Sequence, residues 1–224
     1  MSAQSMLDQL LKSGLSMLDN KGASPGTSSP GLGKLGAGVA AGSVLGLLLG
    51  TKRGRSIGGS ALKYGSVAAL GAVAFRAYTQ WQAQQAAQTP VAAPAAARTV
   101  NLLPAPQVEA HSRAMLQAMI AAAKSDGHLN ERERGLIDAE LLRLQADASE
   151  RQWMEAELQR PLDPSEVARA ATTPELAAEM YLASLLVVDE TSFMERAYLD
   201  ELARQLRLPA GLKAELETQA AQVG

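Results

Sequence analysis

The fold class is decided by residues 177–209, which read AAEMYLASLLVVDETSFMERAYLDELARQLRLP. Apolar side chains recur there at spacings of three and four, first in a helix opened by Thr173-Pro174-Glu175 and then in a helix opened by Ser192. Ser192 and Glu195 match the capping-box pattern, in which a short polar residue and a glutamate three positions later satisfy backbone N–H groups at a helix start. The stretch therefore predicts two consecutive amphipathic helices joined by a tight loop.

The same helical pattern extends over residues 107–224, without strand-like alternation or a hairpin turn dipeptide. Asn130 with Glu133 and Asp163 with Glu166 are further capping boxes. Gly127 follows the first helix at a position that favours a left-handed residue. We therefore predict a compact all-α domain of six to seven helices.

The charges of the chain are divided between its two parts. Residues 1–97 contain 8 Lys/Arg and 2 Asp/Glu, whereas residues 98–224 contain 13 Lys/Arg and 21 Asp/Glu. The acidic part argues against nucleic acid as a partner, because phosphates need a basic face. The absence of cysteine excludes disulfides, thiolate zinc sites and a cysteine nucleophile.

A glycine ridge characterises the basic part. Residues 35–50 carry no charge and, as a helix, would span about 24 Å, short of the roughly 30 Å hydrocarbon core. Glycines at every fourth position would let two helices approach closely in lipid. We expect this glycine zipper to form a membrane helix or a two-helix hairpin that also mediates self-association. The ridge consists of Gly38, Gly42, Gly46, Gly50, Gly54 and Gly58.

Composition predicts five segments along the chain. They are an amphipathic helix at 1–20, a flexible linker at 21–34, a Gly/Ala-rich membrane segment at 35–80, an Ala/Pro tether at 81–106, and the acidic helical domain at 107–224. A single span at 35–50 would leave the basic cluster after it, and hence the acidic domain, in the cytoplasm, whereas a hairpin turning at Lys52–Arg55 would place both ends on the other face. We expect the cytoplasmic face.

Two acidic loops are candidates for a divalent-cation site. If they face each other, their carboxylates could converge on a hard cation, and His128 could add a nitrogen ligand. The competing interpretation is structural, because Glu133 and Glu195 also serve as capping-box residues. The candidate ligands are Asp126, His128, Glu131, Glu133, Asp189, Glu190 and Glu195.

Catalytic motifs are missing from the sequence. It contains no P-loop, Gly-x-Ser-x-Gly, His-Glu-x-x-His or dinucleotide fingerprint. We therefore expect a protein that is not an enzyme and that has no firmly indicated cofactor.

Three segments resemble one known family. These are KYGS at 63–66, AMIAAAKSDGHLNERER at 118–134, and residues 177–209. They are similar to YebE-type inner-membrane proteins, a family of unknown function whose C-terminal domain resembles the TerB-like helical fold of tellurite resistance. The resemblance implies a bacterial inner-membrane location and an all-helical acidic domain. TerB-like domains are suspected of binding metal through acidic residues, so the resemblance also implies metal binding of this kind. The matching positions are Asp126, Glu133, Asp189 and Glu195.

Together these features predict a membrane-anchored, non-enzymatic interaction or stress-sensing module. Its expected partners are the membrane, a second copy of the chain and an unidentified protein. The alternative is a carboxylate-based metal-ion-binding protein that acts in metal or oxyanion stress.

Overall fold

The computed structural model describes residues 3–9, 67–86, 105–127, 135, 137–138, 141–142, 145–188 and 192–223. Within these residues all regular structure is helical, which confirms the all-α prediction. Residues 3–9 form an N-terminal helical segment. The longer elements are α1 (Val67–Ala86), α2 (Ala105–Ala123), α3 (Ala148–Gln159), α4 (Pro164–Ala168), α5 (Pro174–Leu185), α6 (Phe193–Gln205) and α7 (Ala210–Val223).

Helix α5 forms the centre of the fold. All ten of its residues from Leu176 to Leu185 are buried, and α1, α2, α6 and α7 pack around it. Helix α2 contributes a second buried surface that includes Met115 and Met119. A helix that is buried on all sides is typical of the middle of a bundle, since no face remains for water.

Helix α1 is part of this core. Leu70, Ala74 and Ala77 recur at helical spacing and are buried, and α1 packs against α5 and α7. The prediction that residues 35–80 form a membrane segment is therefore corrected from residue 67 onward. The apolar face that was assigned to lipid packs against other helices of the protein. The same pattern of apolar residues is compatible with either environment.

The N-terminal helical segment joins the same core. Ala3, Met6 and Leu7 are buried, and the backbone N–H of Ala3 donates to both carboxylate oxygens of Glu109 in α2, at 3.0 and 2.8 Å. This agrees with an amphipathic helix near the N-terminus. The remaining residues of the predicted 1–20 helix and the linker at 21–34 lie outside the described residues.

The predicted tether is shorter than its sequence indicated. Helix α1 continues to Ala86 and α2 begins at Ala105, so only residues 87–104 separate the two helices. Because α1 and α2 belong to one core, residues 87–104 connect two parts of the folded body rather than an anchor and a separate domain.

Helix starts follow local capping chemistry. Asp163 accepts from the N–H of Ser165, Thr173 from that of Leu176, and Ser192 from that of Glu195. These three N-caps were predicted. The side chain of Glu166 forms an ion pair with Arg169, however, and does not complete the capping box predicted at Asp163. Among the described residues, Asp147 and Glu150 form a complete capping box, which was not predicted.

Left-handed residues mark several helix ends, among them the ends of α2 and α6. Gly127 has φ +83°, as predicted for the residue that follows the α2 turn. Arg207 has φ +55° at the end of α6, where the N–H of Leu208 donates to the carbonyl of Ala203 at 3.0 Å. Glycine usually occupies such a position at a helix end, and a non-glycine residue adopts the left-handed backbone conformation at a cost in free energy.

No helix of the described parts combines the length and apolar character needed to cross a bilayer. The glycine ridge from Gly38 to Gly58 lies outside the described residues.

Candidate functional site

The predicted cation ligands are described in part. Asp126 is exposed in the turn after α2, and Glu195 is buried in the first turn of α6, where its N–H donates to Ser192. His128, Glu133 and Asp189 lie outside the described residues, as do Glu131 and Glu190. Within the described ranges no three His, Cys, Asp or Glu side chains are grouped as a metal site would require.

A buried polar pair lies between α2 and α5. His111 and Glu179 are 6% and 3% exposed, and Nε2 of His111 is hydrogen bonded to Oε2 of Glu179. The sequence did not predict this pair, because 68 residues separate its two members. The pair is enclosed by the core, which makes it a structural connection rather than a binding site.

A cleft on one side of the bundle is the candidate binding site that the described residues form. It has a volume of about 740 Å³ and lies where α1, the α4–α5 connection and the α6–α7 connection meet. This volume lies within the range of small-molecule sites, roughly 300–1,000 Å³. Its apolar walls include Ala177, Leu206 and Leu212.

Two aromatic residues of α1 line this cleft. The rings of Tyr78 and Trp81 are 5.8 Å apart between centroids and are inclined at 45°. Trp81 lies against the start of α7, where Gly211 leaves room for it, since a Cβ atom added to Gly211 would lie 3.0 Å from the indole Nε1. Nε1 is buried and has no hydrogen-bond partner among the described residues.

The charged side chains that line the cleft are both cationic. Arg169 and Arg207 contribute to its wall, and no Asp or Glu is found among the described residues of the lining. Arg169 pairs with Glu166 at 2.5 Å, whereas no ion pair joins Arg207 to another described residue. In an otherwise acidic part of the chain this is a local basic surface, which favours anionic groups.

The polar lining is rich in groups that can donate hydrogen bonds. Ser165, Thr172 and Gln205 line the same space, although the amide nitrogen of Gln205 already donates to Oε1 of Glu201 at 2.7 Å. No nucleophile paired with a general base is found among the described residues that line the cleft. Sequence patterns did not reveal this cleft, because its walls come from three distant segments, and Arg207 is one of 13 Lys/Arg residues in the acidic part.

In its described residues the chain is an all-helical protein with a cleft lined by two arginines. The chain belongs to the family described as protein of unknown function DUF533, whose model matches residues 34–220. It is 32% identical over 103 residues to an uncharacterized protein in the ampR 5′ region of Yersinia enterocolitica, covering 46% of this chain and 74% of that protein. No solved structure matches the chain.

Proposed function

We propose that this protein is a membrane-anchored, non-enzymatic interaction module of the bacterial inner membrane. The glycine-rich residues 35–58 provide the anchor and a surface for self-association, and the helical body provides binding. Within its family we assign the chain to the YebE type, with a TerB-like helical body that acts in stress sensing.

One observation carries this proposal, namely that the helical body begins where the glycine-rich sequence ends. Gly58 is followed after eight residues by Val67, the first residue of α1, and α1 contributes Leu70, Ala74 and Ala77 to the core. An anchor at 35–58 therefore leads directly into the core rather than into a long tether. The helical body would lie close to the membrane surface.

Both ends of the intervening chain belong to one body. Residues 3–9 and α1 contribute to the same core, so the chain that leaves after residue 9 returns at residue 67. An anchor between these positions must enter and leave the membrane on the same side. The uncharged residues 35–50 are short for a full crossing, which fits an element that enters the bilayer and returns.

The cytoplasmic face is the side that the charges favour. Lys52, Arg53, Arg55 and Lys63 lie between the uncharged stretch and α1. Because basic residues next to a membrane segment are retained on the cytoplasmic side, the helical body would lie there as well.

Membrane fractionation tests the anchor. We expect the full chain to remain with membranes after an alkaline carbonate wash and to be released by detergent. Substitution of Gly42 and Gly46 by Leu should weaken self-association in detergent, whereas Ala41→Leu, which lies beside the ridge, serves as the control. Recovery of the intact protein in the soluble fraction would contradict the proposal.

Labelling of introduced cysteines tests the side and the path, because the chain has no native cysteine. We expect Gln9→Cys, Gln80→Cys and Gln152→Cys to resist a membrane-impermeant maleimide in intact spheroplasts and to react after permeabilisation. Reaction of Gln9→Cys alone in intact spheroplasts would show a single crossing and would contradict the same-side path.

Metal binding remains a second, weaker proposal. Asp126, His128, Glu133, Asp189 and Glu195 would be the ligands of a divalent cation. Calorimetric titration of the full chain with calcium, magnesium and zinc tests it, and no observation among the described residues favours it over the binding cleft.

A further inference from the structure

We infer that the cleft between α1, α5 and α7 binds a small anion with a flat apolar body, carrying a carboxylate or a phosphate monoester. This inference rests on the proposed function, since it names the class of ligand that the interaction module would take.

Charge is the first reason. Arg169 and Arg207 are the charged residues of the cleft, and their guanidinium groups match carboxylate and phosphate geometry. Arg169 shares its charge with Glu166 on the same helix. Arg207 is exposed and has no ion-pair partner among the described side chains, so it is the main anchor for an anionic group.

The start of α7 is the second reason. Pro209 lines the cleft and its carbonyl accepts the N–H of Lys213 at 2.9 Å, which places Pro209 at the helix start. Proline has no side-chain acceptor, so it cannot cap the first N–H groups of the helix as Asp147 does for α3. The positive end of the 14-residue α7 dipole adds to the field of the arginines.

The aromatic pair is the third reason. Tyr78 and Trp81 border the cleft with their rings inclined to each other, and short apolar side chains such as Ala168 and Ala171 also line it. A flat ring can enter between such walls and stack on an aromatic face. A long charged group without an apolar body would leave these walls exposed to water.

The indole of Trp81 is the fourth reason. Its Nε1 is buried without a partner among the described residues. A buried donor that lacks an acceptor costs free energy, and such groups call for an explanation. A small rearrangement of the indole on binding would offer this donor to the ligand, and it gives the cleft a spectroscopic probe.

Fluorine NMR of the full chain in lipid nanodiscs tests the inference. The chain contains two tryptophans, Trp81 and Trp153, so labelling with 5-fluorotryptophan gives two signals, which Trp153→Phe assigns. Trp153 lies on α3 beneath Arg113, away from the cleft, and is the internal control.

The probes are 2-naphthoate, 2-naphthyl phosphate, the neutral 2-naphthalenemethanol and inorganic phosphate. We expect the two naphthyl anions to shift the Trp81 signal with dissociation constants on the order of 0.1 mM. The neutral alcohol and inorganic phosphate should bind at least roughly tenfold more weakly, because each lacks one of the two parts that the cleft recognises. The tighter naphthyl anion identifies the head group.

Two substitutions test the charge. Arg207→Gly suits the left-handed backbone at this position and should weaken naphthoate binding roughly tenfold, with a smaller effect from Arg169→Gln. Arg151→Gln removes an exposed arginine of α3 outside the cleft and should leave binding unchanged.

The inference is overturned if naphthoate leaves the Trp81 signal unchanged up to about 5 mM, which is far above the expected constant. It is also overturned if the neutral alcohol binds as tightly as the acid, or if Arg207→Gly has no effect. Loss of membrane association in fractionation would overturn the proposed anchor without changing these titrations, so the two failures are distinguishable.

Discussion

Nε2 of His111 and Oε2 of Glu179 are hydrogen bonded in the interior, and this contact joins α2 to the central helix α5. Both side chains are almost fully buried. Removal of one member of such a pair is costly, because the other member then stays buried without a hydrogen-bond partner and without water.

We therefore predict that Glu179→Ala and His111→Ala each lower the free energy of unfolding by about 3–5 kcal/mol. The double variant should lose much less than the sum, since no unpartnered group remains. Chemical denaturation followed by circular dichroism measures these values. Additive losses would show that the two side chains do not depend on each other.

Tyr198 provides a prediction of pH dependence. Burial raises the pKa of its phenol well above the ordinary value of 10.0. The folded state therefore retains the proton while the unfolded state loses it above about pH 10, so the stabilising contribution of this group falls as pH rises through that range. Tyr198→Phe should reduce the alkaline loss of stability, as measured by thermal unfolding at pH 8 and at about pH 11.

The same substitution should not destabilise the protein near neutral pH. The hydroxyl of Tyr198 is buried and has no hydrogen-bond partner among the described residues, so removing it relieves a desolvated polar group. A gain of up to about 1 kcal/mol is expected. A substantial loss would indicate that the hydroxyl has an acceptor.

We expect Arg207 to lower the free energy of unfolding, although it contributes a positive charge to the cleft. Its φ of +55° is unfavourable for an L-residue, and glycine would adopt it without a steric penalty. Arg207→Gly should raise the free energy of unfolding by about 0.5–1 kcal/mol, after allowance for the greater freedom of glycine in the unfolded chain.

Gln145 supplies the matched comparison for Arg207. It has φ +54° and closes its own helix end through the N–H of Ala146 and the carbonyl of Leu141. Gln145→Gly should stabilise to a similar extent without affecting anion binding. A destabilising effect of both glycine variants would refute the backbone argument.

The contact between Trp81 and Gly211 is expected to hold α1 against α7. Gly211→Leu would place its side chain against the indole and should cost about 1–3 kcal/mol, as overpacked sites do. Ala210→Leu, at an exposed position of the same helix, should be nearly neutral. Unchanged stability of Gly211→Leu, measured by thermal unfolding, would show that α1 is not tightly packed there.

Local chemistry explains what could be predicted from the sequence. Asp163, Thr173 and Ser192 were identified as helix starts because an N-cap involves a side chain and a backbone group only two or three residues away. The missed box at Asp147 and Glu150 had the same visible pattern, so it was within reach of the same argument.

Tertiary packing explains what could not be predicted. An apolar helix such as α1 has the same sequence pattern whether lipid or protein covers it, and only the position of Leu70 and Ala77 against α5 and α7 distinguishes the two. The cleft depends on Trp81, Arg169 and Arg207, which lie in three segments that periodicity does not relate to one another.

The membership of α1 in the core changes how the chain can be divided in the laboratory. A fragment that begins at residue 107 would leave bare the apolar faces of α5 and α7 that α1 covers, and contiguous apolar surface of this kind drives aggregation. Fragments intended for crystallisation or genetic complementation should therefore begin no later than Val67, and a fragment that also retains Ala3 to Leu7 would keep the hydrogen bonds from the Ala3 N–H to the Glu109 carboxylate.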